Sequence, residues 1–180
     1  MIIAQKKRKE NIIEYILYMW YVEDLIRANR FDSDEIGRTL VNAYDCPEDV
    51  RPSIAQWYEE LMDMMRTEGV KEKGHIQINK IVVMQLDELH LSLVKSPQDT
   101  LYHSVYFKTL PLIVQLRAKA GDEPQSEIET CLTAIYGYSI LKLKESEVTP
   151  LTVEGMKQIA TFLAMLSERY KEYKNSNPTS

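Results

Sequence analysis

The stretch Glu10–Arg30, with the sequence ENIIEYILYMWYVEDLIRANR, decides the fold of this protein. Apolar residues occupy almost every side of this stretch when it is drawn as a helix, and Glu14 and Glu23 are among the few charged residues that interrupt them. A helix of a soluble protein that is apolar nearly all round has to be covered by neighbours on several sides. We therefore predict a central hydrophobic first helix with other helices packed around it.

Six further segments repeat apolar residues at spacings of three and four, which is typical of helices. Local start signals place their beginnings at Asp32 or Ser33, at Pro52, near Ile78, at Ser96–Pro97 with Asp99 in the first turn, near Ile128, and at Thr149–Pro150 or Thr152. The chain has only 6 glycines and 7 prolines, few for the many tight turns of an all-β protein. The sequence thus predicts an all-α bundle of six or seven helices.

Glycines and prolines mark the expected interruptions. Gly69 has the position of a left-handed C-cap, and we expect an extended connection after it, with a very short hairpin as the alternative. Pro111 falls inside the fifth predicted helix and should kink or break it near Phe107–Thr109. Gly137 lies inside the sixth and suggests the close approach of another helix, and Ala120–Pro124 reads as a loop. We expect one helical domain over residues 1–174, with a disordered tail at 175–180.

Charge and composition exclude several classes of protein. The chain carries 22 basic and 27 acidic residues, a net charge of −5, and its 2 cysteines, Cys46 and Cys131, cannot build a disulfide framework. Its longest run without an Asp, Glu, Lys or Arg is Thr130–Leu141, far short of the roughly 20 residues of a membrane span. No basic head precedes an apolar run as in a secretory signal. We therefore expect a cytoplasmic protein with no membrane partner.

A resemblance adds to this interpretation. The matching motifs are MIIA at 1–4, KRKENI at 7–12, YMW at 18–20, EDLIR at 23–27, KGH at 73–75 and IATFL at 159–163. Together they resemble a family of uncharacterised proteins from Bacteroides-type bacteria, of similar length and catalogued as a domain of unknown function. The resemblance implies a helical, non-secreted bacterial protein, and it brings no activity, cofactor or catalytic residue.

The chain contains one weak candidate for a reactive site. Neither glycine spacing of a phosphate-binding loop occurs. Asp87 and His90 stand three residues apart on the fourth predicted helix, and a turn at Ser96–Pro97 could bring His103 opposite His90, with Tyr106 one turn further on. A di-iron bundle needs two Glu-x-x-His motifs, and this chain lacks the second, so we expect no metal and no cofactor. A buried imidazole hydrogen-bonded to Asp87 or to a backbone carbonyl is the plainer interpretation of His90, and His75 reads as a cap or solvent contact.

Aromatic residues suggest a second kind of function. Most of the 11 tyrosines and 2 tryptophans should lie at the rim of the core, but an exposed cluster would mark a contact surface. The candidates are Tyr15, Tyr18, Trp20, Tyr21 and Trp57. The favoured hypothesis is a non-catalytic protein that acts through protein contacts, as a homodimer. The alternative is a metal- or small-ligand-binding bundle, either an enzyme or a binding protein, that uses Asp87, His90 and His103. Nucleic-acid contact through Lys6–Lys9 is disfavoured by the acidic net charge.

Overall fold

Eight α-helices and two short 3₁₀ turns account for the secondary structure of residues 2–119 and 125–177, which the computed structural model describes. The helices are α1 Ile2–Glu10, α2 Ile12–Ala28, α3 Ser33–Thr39, α4 Arg51–Thr67, α5 Gln77–Lys95, α6 Thr100–Arg117, α7 Glu127–Leu143 and α8 Pro150–Ser176. The 3₁₀ turns are Val41–Ala43 and Glu48–Val50. The prediction of an all-α protein is confirmed, and no strand occurs in this described part of the chain.

The predicted count of six or seven helices was too low, because the N-terminal helix α1 was not expected. Residues 2–10 form a helix of their own because the backbone is interrupted at Asn11, whose side-chain Oδ1 accepts the Ile13 N–H at 3.0 Å. Asparagine commonly caps a helix in this way, since its short amide reaches the free N–H groups of the first turn. The basic residues at 6–9 therefore end α1 instead of beginning α2.

The helices divide into two compact units. The first unit comprises Met1–Glu10 and Glu14–Ile81, and the second comprises Asn11–Ile13 and Val82–Ser180. In the first, α3 packs on α4 and on the 3₁₀ turn that follows α3. In the second, α8 packs on both α6 and α7, which also contact each other. The expectation of a single domain over residues 1–174 stays a prediction.

Most of the predicted helix caps are confirmed. The Asp32 side chain accepts from the Glu35 N–H at the start of α3, and the Thr149 side chain accepts from the Thr152 N–H at the start of α8. Gly69 follows the end of α4 with φ +69°, a conformation that costs glycine little. At the start of α6 the prediction was wrong in detail, since the cap is Asp99 itself, which accepts from the Tyr102 N–H, and not Ser96.

Pro111 does not break its helix. The α6 helix continues from Thr100 to Arg117, so the expected break near Phe107–Thr109 is absent, while a kink there stays a prediction. Proline lacks an N–H, which leaves the carbonyl of Phe107 without its intrahelical donor. Both Phe107 and Pro111 are exposed.

The ends of two predicted segments differ from expectation. The α8 helix includes Asn175 and Ser176, which the sequence analysis placed in the tail, and residues 178–180 of that tail lie outside the described residues. The predicted loop Ala120–Pro124 also lies outside them. The connection between α4 and α5 contains no strand, so the hairpin is not formed at residues 70–76; the backbone bends at 71–74, with Gly74 at φ +86°, so it is not the plain extended connection either.

Gly137 faces open space, and the expected close approach of another helix is not found there. A Cβ built on Gly137 meets no atom within 4 Å beyond the helix's own backbone. We therefore expect Gly137→Ala to raise the free energy of unfolding by about 0.5–1 kcal/mol, because alanine loses less backbone entropy in a helix. Urea denaturation followed by circular dichroism would measure this gain.

The matched control for this prediction is Gly69→Ala. A residue with a Cβ is strained at φ +69°, so we expect this variant to lose about 1 kcal/mol. A loss of stability in Gly137→Ala would show that another group approaches this position.

Candidate functional site

The predicted histidine site contains a buried hydrogen-bonded cluster centred on His90, in the second unit. Nδ1 of His90 lies 2.7 Å from the Tyr102 hydroxyl, and Nε2 lies 3.3 Å from Oε2 of Glu127. The imidazole edge also meets the rings of Tyr106 and Phe162, with centroid distances of 4.9 and 5.6 Å. A carboxylate only accepts, so Nε2 carries the proton and the Tyr102 hydroxyl donates to Nδ1. Both ring nitrogens thus have protein partners, and the prediction of Asp87 or a backbone carbonyl as the partner was wrong, because side chains of α6 and α7 reach the ring instead.

The other two members of the predicted set have separate roles. Nε2 of His103 donates to the Leu93 carbonyl at 3.0 Å, near the end of α5, so His103 and His90 bond to different groups. Asp87 accepts from the Ser126 hydroxyl and from the Ile128 N–H at the start of α7. Burial raises the pKa of the Asp87 carboxyl above its usual value, although these two hydrogen bonds oppose the shift. Asp87 therefore acts as an additional cap on α7, where a helix N-terminus favours a carboxylate.

Burial governs the chemistry of this cluster. It lowers the pKa of the His90 imidazole, even though the Glu127 carboxylate favours its protonation, and it raises the pKa of Tyr106 to about 12, helped by Glu127. It also raises the pKa of the fully buried Cys131 thiol to about 12, which keeps that thiol protonated and unreactive. Burial thus favours the neutral forms of His90, Tyr106 and Cys131, as expected of a structural network.

The lowered pKa of His90 makes stability depend on pH. Below the ordinary value of 6.5 the unfolded chain takes up a proton at His90 before the folded chain does, so stability falls as the pH is lowered. We expect a slope of up to about 1.4 kcal/mol per pH unit from this group. Urea denaturation at several pH values would show a smaller slope in His90→Gln than in the wild type.

The control for this pH dependence is Leu91→Gln, an exposed change on the same helix that removes no titrating group. Its slope should equal that of the wild type. An NMR titration that places the pKa of His90 above 6.5 would contradict the prediction.

A second polar cluster, in the first unit, was missed by the sequence analysis. Glu23 is fully buried, and its carboxylate accepts three hydrogen bonds. The donors are Nδ1 of His75 at 2.5 Å, the Ile76 N–H at 3.1 Å and Nδ2 of Asn79 at 2.7 Å. These residues lie 52 to 56 positions from Glu23 along the chain. His75 is therefore the partner of a buried carboxylate, and the interpretation of it as a simple cap or solvent contact was incomplete.

The ring of His75 is held on its face as well as at Nδ1. It stacks on Trp20 with centroids 4.2 Å apart and an angle of 10° between the planes. Arg27 secures the same connection, since its guanidinium donates to the carbonyls of Val70, Lys71 and Gly74. The only sequence signal for this cluster was the presence of an acid inside the apolar stretch of α2.

The aromatic residues proposed as an interface are distributed between the core and the surface of the first unit. Tyr15 and Trp20 are buried, Tyr18 and Trp57 are half-buried, and Tyr21 is exposed. The hydroxyl of Tyr44 lies 3.1 Å from those of Tyr18 and Tyr58, which makes a chain of three phenols. Burial and this hydrogen bonding raise the pKa of Tyr18 and of Tyr58. An interface role for the predicted set stays a prediction.

The basic segment Lys6–Lys9 forms an ion pair and a cation–π contact within the first unit. Nζ of Lys7 lies 2.9 Å from Oε2 of Glu14, and the guanidinium of Arg8 lies 5.5 Å from the centre of the Tyr15 ring. Cation–π contacts and exposed ion pairs of this kind contribute at most about 1 kcal/mol each. Lys7 and Arg8 of this segment thus contact side chains of α2.

The α6 helix is apolar on two sides. Its inner side bears the buried residues Tyr102, Tyr106, Thr109 and Ile113. Another side, which we call the α6 face, consists of Phe107, Leu110, Pro111 and Val114. Phe107 and Val114 are each 58% exposed, Pro111 is exposed and Leu110 is half-buried. A helix that packs on one side usually bears polar residues on the opposite side.

Among residues 2–119 and 125–177, no group of three or more His, Cys, Asp or Glu side chains has an arrangement that could hold a metal ion. No helix in those same ranges combines the length and apolar character that a membrane span needs.

Comparison with known proteins shows a family. A family model described as a domain of unknown function (DUF4924) matches residues 1–177. No curated protein and no solved structure matches the chain.

Proposed function

The chain belongs to this family of unknown function, and we propose that it acts through protein contacts, as a homodimer formed at the α6 face. The observation that carries the proposal is the exposure of Phe107 and Val114, each 58% exposed on a helix whose inner side is already packed. Exposed apolar surface of this kind is typical of interaction sites. Leu101, on the same helix, is 59% exposed and adds to the apolar surface near the start of α6.

The spacing of the α6 face suits contact with a second copy of the same chain. Its four residues follow one another at steps of three, one and three, so the pattern is symmetric about the midpoint between Leu110 and Pro111. A two-fold axis through that midpoint would pack Phe107 of one copy near Val114 of the other. Two-fold contacts use the same surface patch on both copies, which a symmetric pattern satisfies.

The charges of α6 are compatible with such a contact. The helix contains no acidic residue, and its basic residues, Lys108 and Arg117, are outside the four-residue face. Burial of the face would therefore not require the burial of a charged group within it, which would be costly. The α6 face replaces the aromatic set as the proposed interface, because Tyr15 and Trp20 are already buried within the chain.

The cluster around His90 supports the contact proposal over the ligand-binding alternative. Both ring nitrogens of His90 have protein partners, and the imidazole is almost fully buried. A general base or a metal ligand needs a nitrogen that can reach substrate or metal. His103, the second histidine of that alternative, donates to a backbone carbonyl.

The experiment is sedimentation velocity or light scattering on the wild type and on Phe107→Ser/Val114→Ser. We expect a wild-type dimer at micromolar concentration and a dissociation constant at least about a hundredfold higher in the double variant, because four apolar side chains lose their contacts across a two-fold interface. Circular dichroism would show that the variant keeps its helices.

The matched control is Met84→Ser. Met84 is 56% exposed on α5, also in the second unit, so its replacement removes exposed apolar surface from a helix other than α6. This variant should dimerise as the wild type does. A monomeric wild type, or a double variant with an unchanged dimer, would contradict the proposal.

A further inference from the structure

One ring nitrogen of His75 bonds to a buried carboxylate, and the other has no hydrogen-bond partner among the residues that the structure describes. Nδ1 lies 2.5 Å from Oε2 of the buried Glu23, and no group in the described part of the chain is within hydrogen-bond distance of Nε2. The imidazole side chain is 28% exposed, so solvent and small solutes reach it. This combination differs from that of His90, whose two ring nitrogens both have partners.

The hydrogen bonds of Glu23 determine which nitrogen of His75 is reactive. Oε1 of Glu23 accepts from the Ile76 N–H and from Nδ2 of Asn79, and Oε2 faces His75. Because a carboxylate accepts, Nδ1 carries a proton, and in the neutral form of the imidazole the lone pair is therefore on Nε2. Stacking on Trp20 fixes the plane of the ring. A carboxylate that orients an imidazole in this way is the arrangement that activates histidine as a base or nucleophile.

The surroundings of the ring favour a small, negatively charged group. Lys71 and Lys73 lie in the connection directly before His75, and both lysines are exposed; of the two acids of this connection, Glu72 lies between the lysines and Glu68 accepts the Gln77 N–H. Phosphoryl groups are favoured by neighbouring basic side chains, and a phosphoryl group on a part-exposed ring needs no apolar pocket. We propose that His75 is a phosphoryl acceptor, which takes a phosphoryl group on Nε2 from a small-molecule phosphodonor.

The step is a direct displacement at phosphorus, here written for phosphoramidate as the donor. The Nε2 lone pair forms the new N–P bond while the donor's own P–N bond breaks, and the departing, already protonated nitrogen leaves as ammonia with the electron pair of that bond. The imidazole keeps its proton on Nδ1 and becomes positively charged as the bond forms. Glu23, which accepts that proton's hydrogen bond, stabilises the developing charge. No oxidation or reduction takes place.

The test is incubation of the full chain with potassium phosphoramidate at neutral pH. Phosphorus NMR and peptide mapping under acid-free conditions would locate the product, since phosphohistidine is labile to acid. We expect His75 to be phosphorylated at least about tenfold faster than His90 and His103, and Glu23→Gln to slow the reaction at His75 by at least about tenfold. Glu23→Asp should retain more of the rate than Glu23→Gln, because it keeps the charge.

Internal controls separate reactivity from folding. His75→Gln should abolish the product at this position, and the rate at His103 in the same samples should be unchanged by Glu23→Gln. If Glu23→Gln does not fold, the phosphorylation rates of the three histidines are measured on the wild type in native buffer and in concentrated urea. A preference for His75 that disappears in urea supports the proposal. Equal rates at the three histidines of the native chain, or an unchanged rate at His75 in a folded Glu23→Gln, would overturn it.

Discussion

Phe162→Ala should lower the free energy of unfolding by about 3–5 kcal/mol, the usual cost of removing a fully buried aromatic ring. Phe162 has no exposed surface, and its ring lies 5.6 Å from that of His90, 5.8 Å from that of Tyr102 and 5.9 Å from that of Tyr106, measured between centroids. Its removal leaves a cavity beside the His90–Tyr102 hydrogen bond. Because a domain of this size is stable by only about 5–15 kcal/mol, the loss would be a large fraction of the total.

Urea denaturation measures this loss, and an NMR titration of His90 gives an independent second result. Water that enters the cavity would weaken the burial that lowers the pKa of His90, so this pKa should rise towards 6.5 in the variant. The control is Leu151→Ala, on the same helix, where the side chain is 84% exposed and the expected change is within about 0.5 kcal/mol. A loss below about 1 kcal/mol in Phe162→Ala would show that the cluster repacks without the ring.

Glu23→Ala should also lower the free energy of unfolding by about 3–5 kcal/mol, because it removes a buried, charged hydrogen-bond acceptor. The carboxylate is the acceptor for the Nδ1–H of His75, the Ile76 N–H and Nδ2 of Asn79. Alanine would leave these donors without their acceptor, and a buried donor without an acceptor costs about 1–3 kcal/mol. We expect the largest loss of protection from amide hydrogen exchange in two places. These are the connection that carries His75 and Ile76, and the first turn of α5.

Urea denaturation gives the free energy for this variant, and amide hydrogen exchange locates the change in the first unit. The control is Glu14→Ala on the same helix, where the carboxylate is exposed and forms an ion pair with Lys7. An exposed pair contributes about 0–1 kcal/mol, so this variant should stay close to the wild type. If Glu23→Ala and Glu14→Ala lowered the free energy of unfolding equally, the buried hydrogen bonds of Glu23 would contribute no more than an exposed ion pair.

Several features were predictable because they depend on neighbours in sequence. The cap at Asp32, the start of α8 after Thr149 and the left-handed position of Gly69 each involve groups within a few residues of one another. Hydrophobic periodicity likewise predicted most of the helices. The separate helix α1 was missed because its break at Asn11 depends on a single side-chain hydrogen bond within a continuous helical pattern.

The candidate site was less predictable. Spacing correctly suggested that His90 faces the core, but it also suggested that His103 could face His90, whereas His103 donates to the Leu93 carbonyl. The partner of His90 on α7, Glu127, is 37 residues away and belongs to no motif that includes His90. Gly137 shows the same limit in packing, since its position in a helix gave no information about whether another helix approaches it.

The sequence by itself determined that this chain is helical and where most helices begin and end, because periodicity and capping are local properties of the backbone and its nearest side chains. Only the tertiary structure decided that Glu23 accepts from His75, that Asp87 caps α7 and that one side of α6 stays uncovered. The physical reason is that burial and hydrogen bonding between distant residues depend on how the helices pack. The same carboxylate or imidazole is a solvated surface group or a buried partner according to that packing.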